Sequence, residues 1–184
     1  MSTAPQPTPR SQRRLRSKAL RSAWAVFCLV WVLATAWLLY SLTFANYGEF
    51  DPEQRWLGSA QSIQLNELVP AADSKVADSG LTLVHVRSSW CSCNPLADGH
   101  TETVPDEVEQ HWVTADTVRA AGFELPATPA ALIFDNGQLI YAGPYASGAF
   151  CSVEDSLIET ILTGEQALAG TYLNGLVQAC RCLT

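Results

Sequence analysis

Cysteines are the residues most able to do chemistry in this 184-residue chain, which contains six of them. Four form two Cys-x-Cys pairs, Cys91-Ser92-Cys93 and Cys180-Arg181-Cys182. A disulfide within such a pair closes too short a loop to constrain the unfolded chain much. The spacing therefore favours thiol–disulfide exchange or metal capture over a structural staple.

Metal binding is the alternative chemistry for these two pairs. Soft thiolates suit Cu(I) or Zn(II), so the candidate ligands are Cys91, Cys93, Cys180 and Cys182. Imidazoles are also available, at His85, His100 and His111. None of these histidines stands at motif spacing from the cysteines, and zinc sites usually use pairs separated by two to four residues. The metal hypothesis thus depends on ligand type more than on spacing.

Cys28 lies in the N-terminal apolar segment, and Cys151 is the remaining cysteine outside it. The number of cysteines outside that segment is therefore five, which is odd. At least one thiol is then free, transient or paired with another molecule. We expect a structural bridge from Cys151 to Cys180 or Cys182, closing a loop of some 30 residues and stabilising the fold by roughly 3–4 kcal/mol. In the alternative, a relay, the terminal pair exchanges electrons with Cys91 and Cys93.

Charge is distributed unevenly along the chain. Six of the eleven Lys/Arg residues lie within the first 21 positions, and all eighteen acidic residues follow Gly48. The body after Gly48 is therefore strongly acidic and repels phosphates, which argues against nucleic-acid binding. A single long apolar segment also argues against a polytopic transporter.

The uncharged stretch 22–45 is long enough to cross a hydrocarbon core as a helix. We predict a disordered start (1–18) within a basic cytoplasmic tail (1–21), a transmembrane anchor (22–45) and a juxtamembrane linker (46–60) before the domain 61–184. Basic residues stay on the cytoplasmic side, so the chain is placed in the inner membrane as a single-pass protein with its body in the periplasm. The alternative is a signal peptide cleaved after Ala36.

The body alternates strand and helix signals. Leu81–Arg87 and 111–115 have the length and apolar content of strands. Asp135-Asn136-Gly137 between two apolar runs, 130–134 and 138–142, predicts a type I′ hairpin. Ser152 with Asp155 is typical of a helix N-cap, and helical spacing then continues to Leu162. A further helix is expected over 165–179.

The order of these features resembles the thioredoxin-like superfamily over about residues 61–165. A strand ends at Trp90-Cys91-Ser92-Cys93, and Thr128-Pro129 leads into the hairpin and a helix. More narrowly, WCSCN, TPAALIFDNGQLIYAGPY and the terminal Cys-x-Cys are similar to bacterial membrane-anchored thioredoxin-like proteins. The resemblance implies an α/β fold, a central mixed β-sheet flanked by helices, with Pro129 as a cis proline beside the cysteines.

The resemblance also implies roles for single residues. Cys91 would be the attacking thiol, Cys93 the resolving thiol and Pro129 the contact to the substrate backbone. His85 stands six residues before Cys91, where thioredoxins place a buried carboxylate, and neutral imidazole can transfer the same proton. The competing interpretation is that His85 is only a hydrogen-bonded residue of the core strand.

We therefore predict a membrane-anchored, periplasm-facing protein that exchanges thiols and disulfides through Cys91 and Cys93. Whether it turns over as an oxidoreductase or isomerase is left open by the sequence. The expected partners are the membrane and protein thiol or disulfide substrates, with no cofactor. A Cu(I)/Zn-binding protein and a redox-inactive interaction module are the alternatives.

Overall fold

The computed structural model describes residues 9–70, 80–148 and 156–184, with side chains described from Leu20 to Ser41 and, within those ranges, from Phe44 onward. The chain divides into two compact units, residues 1–45 and 46–184. In chain order the elements are α1 (Pro9–Phe44), β1 (Tyr47–Glu49), α2 (Leu65–Leu68), β2 (Leu81–Arg87), α3 (Asn94–Thr101), β3 (Glu109–Thr114), α4 (Ala115–Ala120), β4 (Ala127–Thr128), β5 (Ala130–Asp135), β6 (Gln138–Gly143), α5 (Leu157–Leu162), β7 (Tyr172–Leu173), β8 (Gln178–Cys180) and β9 (Cys182–Leu183).

The first unit is dominated by helix α1. Its segment Leu20–Ser41 has 22 residues and a mean hydropathy of 2.0, which is long and apolar enough to cross a membrane. The helix begins at Pro9, so the disorder predicted for residues 1–18 is wrong from Pro9 onward. Proline is well tolerated in a first helical turn, because its missing N–H has no partner there anyway. Residues 1–8 lie outside the described part of the chain.

The second unit is built on a five-stranded mixed sheet with the order β3-β2-β5-β6-β7. Strand β2 lies inside it, parallel to β3 and antiparallel to β5, and β5 continues antiparallel into β6. Residues 82–86 of β2 are all buried, as expected for a strand covered on both faces. This sheet with its flanking helices is the thioredoxin-like fold that the sequence predicted.

Two turns predicted from the sequence lie next to β5. The peptide bond between Thr128 and Pro129 is cis, directly before the strand. At the other end of β5, Asn136 and Gly137 have φ values of 50° and 81°. The predicted type I′ hairpin requires positive φ at both turn residues, as observed. The cis proline and the hairpin are therefore confirmed.

Successive residues of β2 point to opposite faces of the sheet and enter two separate cores. Val84 and Val86 pack with Phe123 and with Val118 of α4 on one face. Leu83 packs on the other face, whose apolar side chains include Ala97 of α3 and Ile158, Ile161 and Leu162 of α5. The helices thus cover both faces and fix the position of the loop that follows β2.

The segment 46–60, predicted as a linker, is part of this folded unit. Strand β1 pairs antiparallel with β8. Phe50 is fully buried and Trp56 is 4% exposed, and the Trp56 indole donates to the carbonyl of Glu124 over 2.7 Å. The linker prediction is wrong because the glycine and proline residues that suggested a linker lie in the same segment as two buried aromatic side chains, those of Phe50 and Trp56.

The helix predicted over 165–179 is also wrong. Strands β7 and β8 occupy that region, with β7 parallel to β6. Glycines at 170 and 175 disfavour a helix, and the strands satisfy their backbone groups through pairing. The predicted cap at Ser152 and Asp155 lies outside the described residues. Helix α5 begins after Ser156, whose hydroxyl accepts from the backbone N–H of Ile158.

Trp56→Ala tests whether this segment belongs to the domain core. Truncation removes a buried indole packed on Phe50 and Phe123, so we expect the free energy of unfolding to fall by about 3–5 kcal/mol. Leu57→Ala is the matched control, because Leu57 is 62% exposed and its truncation should change stability by no more than about 0.5 kcal/mol. The measurement is denaturant unfolding of the full chain in detergent. Equal stabilities of the two variants would contradict the assignment.

Candidate redox centre

The loop after β2 places the first cysteine pair at the start of helix α3. The N–H of Cys91 donates to the carbonyl of Ser88 over 3.1 Å, which closes a turn directly after the strand. Cys93 is the N-cap of α3, and Pro95 lies in its first turn. The Asn94 side chain does not cap the helix; its amide donates to the Ser88 carbonyl. The cysteines therefore sit between a rigid strand and a helix N-terminus.

Each of these cysteines is bonded to a cysteine of the C-terminal pair. Cys91 forms a disulfide with Cys182, and Cys93 forms one with Cys180. The bridge expected from Cys151 to Cys180 or Cys182 is wrong in this structure, since both terminal sulfurs are already bonded, and Cys151 itself lies outside the described residues. The partners are 91 and 87 residues apart in sequence, a separation that local sequence patterns do not encode.

Backbone pairing brings the C-terminal pair to this position. Strand β9 pairs antiparallel with β4, so that Cys182 lies opposite Thr128. Strand β8 pairs with β1, so that Cys180 lies opposite Tyr47. Two ladders on either side of Arg181 therefore hold the terminal cysteines beside Cys91 and Cys93.

Asn46 connects the middle residues of the two Cys-x-Cys pairs. Its side-chain amide donates to the Ser92 hydroxyl over 2.7 Å. Its backbone carbonyl accepts from the N–H of Arg181 over 2.6 Å, and the Arg181 guanidinium donates to the carbonyl of Glu49. A Cβ at Gly48 would come within 2.6 Å of a guanidinium nitrogen. Glycine at position 48 thus leaves the room that Arg181 occupies.

Pro129 lies beside the cysteines, as the sequence predicted. The Sγ of Cys91 is 3.4 Å from the carbonyl oxygen of Thr128, the residue before the proline. A cavity of about 10 Å³ separates Pro129 from the helix, and its lining includes Cys93, Cys180, His100 and Tyr145. Because β9 pairs with Thr128, the chain's own C-terminal strand occupies the backbone edge beside the proline.

His85 is fully buried in β2, with its ring stacked on Trp112 and on Tyr145. Its Nε2 lies 3.0 Å from the Oε1 of Gln110 and its Nδ1 lies 2.5 Å from the Tyr145 hydroxyl. An amide oxygen only accepts, so Nε2 carries the proton and Nδ1 accepts from Tyr145. Both nitrogens are engaged away from the cysteines, and Tyr145 is the residue that links His85 to the cavity beside Cys93.

Burial keeps this pair neutral. Desolvation lowers the pKa of His85 from 6.5 to about 4, the bond to Gln110 opposes the shift, and the charge of Arg87 adds to it. Burial likewise raises the pKa of Tyr145 well above its usual value of 10.0. A neutral imidazole and a neutral phenol therefore face each other at neutral pH.

The sulfur atoms form the only group of possible metal ligands found among the described residues. The Sγ atoms of Cys91, Cys93 and Cys182 all lie within 4.8 Å of one another, and that of Cys180 is bonded to Cys93. All four cysteines of the metal hypothesis are thus brought together. Two of the histidines have other partners, because His111 pairs with Glu109 and both nitrogens of His85 are hydrogen-bonded elsewhere, whereas His100 lines the cavity with Cys93 and Cys180.

Three residues of the centre were missed by sequence reasoning. Asn46 and Arg181 hold the two pairs together, and Tyr145 joins His85 to the cavity. Arg181 contacts Glu49 from a position 132 residues away, and no motif marks such a partner. Tyr145 does follow the hairpin closely, but only the fold shows that it faces β2.

Peptide mapping without reduction tests whether the disulfides join the two Cys-x-Cys pairs to each other. Trypsin cleaves after Arg87, Arg119 and Arg181, which separates Cys180 from Cys182 but leaves Cys91 and Cys93 on one peptide. We expect mass spectrometry to find that peptide joined both to 182–184 and to the peptide ending at Arg181. Recovery of peptide 88–119 in unlinked form would contradict the pairing.

His85 predicts a loss of stability at acid pH. Its folded-state pKa is depressed to about 4, so between pH 6.5 and 4 the unfolded chain binds a proton that the folded chain does not. The contribution of neutral His85 to the free energy of unfolding is therefore fully present above pH 6.5 and is lost on acidification, by up to about 3 kcal/mol at pH 4. Titrating carboxylates add their own slope, so the readout is the difference between the wild type and His85→Gln in denaturant unfolding across this range. Parallel curves would show that His85 does not titrate as described.

Two thioredoxins are among the solved structures to which this chain is similar. A mutant thioredoxin from Halobacterium salinarum NRC-1 is 12% identical, with a TM-score of 0.38, 51% of this chain covered and 81% of the other. The Malassezia sympodialis thioredoxin is 19% identical, with a TM-score of 0.33 and coverage of 48% and 77%. No match was found among curated protein sequences. The model of the family described as domain of unknown function DUF6436 matches residues 57–184, and the chain belongs to that family.

Proposed function

We propose that this protein is a membrane-anchored thiol–disulfide exchange protein that acts through Cys91 and Cys93. The main support for this proposal is that two disulfides, Cys91–Cys182 and Cys93–Cys180, join the two Cys-x-Cys pairs to each other beside the cis proline Pro129. Below, this pairing is called the crossed arrangement. One disulfide would suffice for a staple. Two adjacent exchangeable bonds instead form a centre that holds up to four electrons when reduced.

The exchange proceeds in balanced two-electron steps. In the reduced centre the Cys91 thiolate attacks a client disulfide, one client sulfur leaves as a thiolate, and a mixed disulfide forms. Cys93 then attacks the Cys91 sulfur, which releases the second client thiol and leaves a Cys91–Cys93 disulfide. Cys182 then attacks the Cys91 sulfur, which forms the Cys91–Cys182 bond and frees the Cys93 thiolate. Cys93 attacks a second client disulfide, one client sulfur leaves as a thiolate, and Cys180 attacks the Cys93 sulfur, which releases the other client thiol and forms the Cys93–Cys180 bond. The client gains the electrons that the cysteines lose.

Reduction of the crossed form begins at Cys180. Cys91, Cys93 and Cys182 are no more than 4% exposed, whereas Cys180 is half-buried. A reducing dithiol attacks the Cys180 sulfur, and Cys93 leaves as a thiolate at the N-terminus of α3, where the helix dipole favours negative charge. The second thiol of the reductant then resolves the mixed disulfide. The reductant is oxidised, and the protein gains two electrons and two protons.

Client access is coupled to these bonds. The resemblance to thioredoxins implies that Pro129 contacts the client backbone, and strand β9 lies along that edge at Thr128. Opening the Cys91–Cys182 bond leaves β9 held at this edge by its two-residue pairing with β4, so that a client strand can compete for the edge. His85 would act in proton transfer only through Tyr145, because both of its nitrogens are engaged.

The proposed setting is the periplasmic face of the inner membrane. The apolar segment Leu20–Ser41 follows a tail with six Lys/Arg residues, a distribution that keeps the N-terminus cytoplasmic. The body then faces an oxidising compartment in which disulfides persist. We therefore divide the chain into a cytoplasmic tail at 1–21, a membrane anchor at 22–45 and a periplasmic redox domain that follows the anchor.

Two cysteine variants test the exchange reaction. The full chain in detergent is fully reduced and mixed, with metal chelator present, with a fluorescent peptide carrying one internal disulfide. The double variant Cys93→Ser/Cys182→Ser lacks both thiols that lie beside Cys91, so it should accumulate the Cys91–peptide mixed disulfide on non-reducing gels. Cys91→Ser should lower the rate of peptide reduction at least about tenfold, and Cys28→Ser, in the anchor helix, is the matched control that leaves the rate unchanged.

Equilibration in redox buffers supplies the second readout. We expect the thiol count of the four cysteines to change reversibly between roughly −320 and −120 mV, the span of known thiol–disulfide poises. Cysteines locked as disulfides or as thiols across this span would rule out exchange. That outcome would support the redox-inactive interaction module instead.

A further inference from the structure

The four sulfurs of the redox centre also have the arrangement of a metal site. Three Sγ atoms lie within 4.8 Å of one another, and the fourth, that of Cys180, is in bonding contact with Cys93. Four thiolates around Zn(II) at 2.3 Å stand about 3.8 Å apart. The cluster therefore needs only small shifts to surround one ion once its disulfides are open.

The scaffold around the cluster does not depend on the disulfides. Strand β9 is paired with β4 and β8 with β1. Asn46 binds Ser92 between one pair of cysteines and Arg181 between the other. None of these bonds involves a cysteine sulfur, so without a client strand they keep the two Cys-x-Cys pairs opposed after reduction. A preformed arrangement of this kind lowers the entropic cost of binding.

The burial of the cysteines is the reason why their thiolates would bind a cation. Cys91, Cys93 and Cys182 are nearly inaccessible to solvent, and several thiolates in such a place need a compensating positive charge. The described residues that line the cavity include no Lys or Arg, and the guanidinium of the neighbouring Arg181 donates to the carbonyl of Glu49. Thiolate sulfur selects Zn(II) and Cu(I) among the biological cations.

We propose that the fully reduced centre binds one thiophilic metal ion, Zn(II) or Cu(I), through Cys91, Cys93 and Cys182, with Cys180 as the fourth ligand of Zn(II), and that oxidation to the two disulfides releases it. The proposal uses the cysteines of the proposed exchange reaction but does not require a client. For Zn(II), four thiols lose four protons and form four Zn–S bonds. Two equivalents of a small disulfide then oxidise the four thiolates to two protein disulfides, yielding four small thiolates and the free ion.

The two ions differ in the ligands that they need. Zn(II) takes four ligands in a closed tetrahedral site, so Cys180 is required. Cu(I) is satisfied by the three mutually close sulfurs of Cys91, Cys93 and Cys182. Cys180→Ser therefore separates the ions, since it should abolish tight binding of Zn(II) and retain that of Cu(I).

The experiment uses the full chain in detergent, reduced with a phosphine under anaerobic conditions and freed of metal. Zn(II) alone and Cu(I) alone are each titrated in competition with a chromophoric chelator. We expect one ion per chain, and a loss of affinity of at least about 100-fold in Cys91→Ser and Cys182→Ser. Cys28→Ser is the control and should bind like the wild type. Oxidised glutathione should release the ion as four thiols disappear.

Alkylation protection covers the case in which a variant fails to fold. In the wild-type chain, bound Zn(II) should slow the modification of all four cysteines and bound Cu(I) that of Cys91, Cys93 and Cys182, as read by mass spectrometry, and neither ion should change that of Cys28. Failure of both ions to bind at one per chain, or equal affinity of the cysteine variants, would overturn the proposal. The exchange assay contains chelator, so its result is independent, and failure of either proposal is recognised separately.

Discussion

The return of the C-terminal strand to the start of helix α3 is the constraint on which the candidate centre depends. Without the pairing of β9 with β4, Cys182 would have no reason to lie beside Cys91, some ninety residues earlier. Closing that loop with one disulfide stabilises the fold by roughly 4–5 kcal/mol in the loop-entropy model. The second bond joins the same two segments, so its loop is already closed and it adds little. A doubled connection with little added stability is better explained by chemistry than by stabilisation.

The sheet supplies the rigidity that this chemistry requires. Strand β2 is flanked by β3 and β5 and covered on both faces, so the loop that follows it starts from a fixed point. The carbonyl oxygen of Thr128, the residue before Pro129, lies 3.4 Å from the Sγ of Cys91. His85 and Tyr145 place a polar hydrogen bond inside an otherwise apolar layer. Both groups are uncharged there, which is the condition under which such a pair can be buried.

Local patterns predicted the central part of the fold and the first half of the site. The strand Leu81–Arg87, the Asn-Gly hairpin and the cis bond at Pro129 each follow from a few neighbouring residues. The region 165–179 was predicted wrongly as a helix, because its short strands β7 and β8 form only by pairing with β6 and β1. The disulfide partners and the contacts of Asn46 are long-range in the same sense. Composition and spacing carry no information on which distant segments meet, so they identified the reactive cysteines and not their pairing.

The position of the bonded cysteines along the chain has a consequence for biosynthesis. Cys91 leaves the ribosome 91 residues before Cys182, which at about 5–20 residues per second is a delay of roughly 5–18 s. During that interval the first pair can bond within itself, with another cysteine of the chain such as Cys151, or with a thiol from another molecule. Correct assembly therefore has to wait for the synthesis of Cys182, and in an oxidising compartment any Cys91–Cys93 bond formed early has to be exchanged afterwards. The nascent chain itself thus needs the exchange chemistry that is proposed for the finished protein.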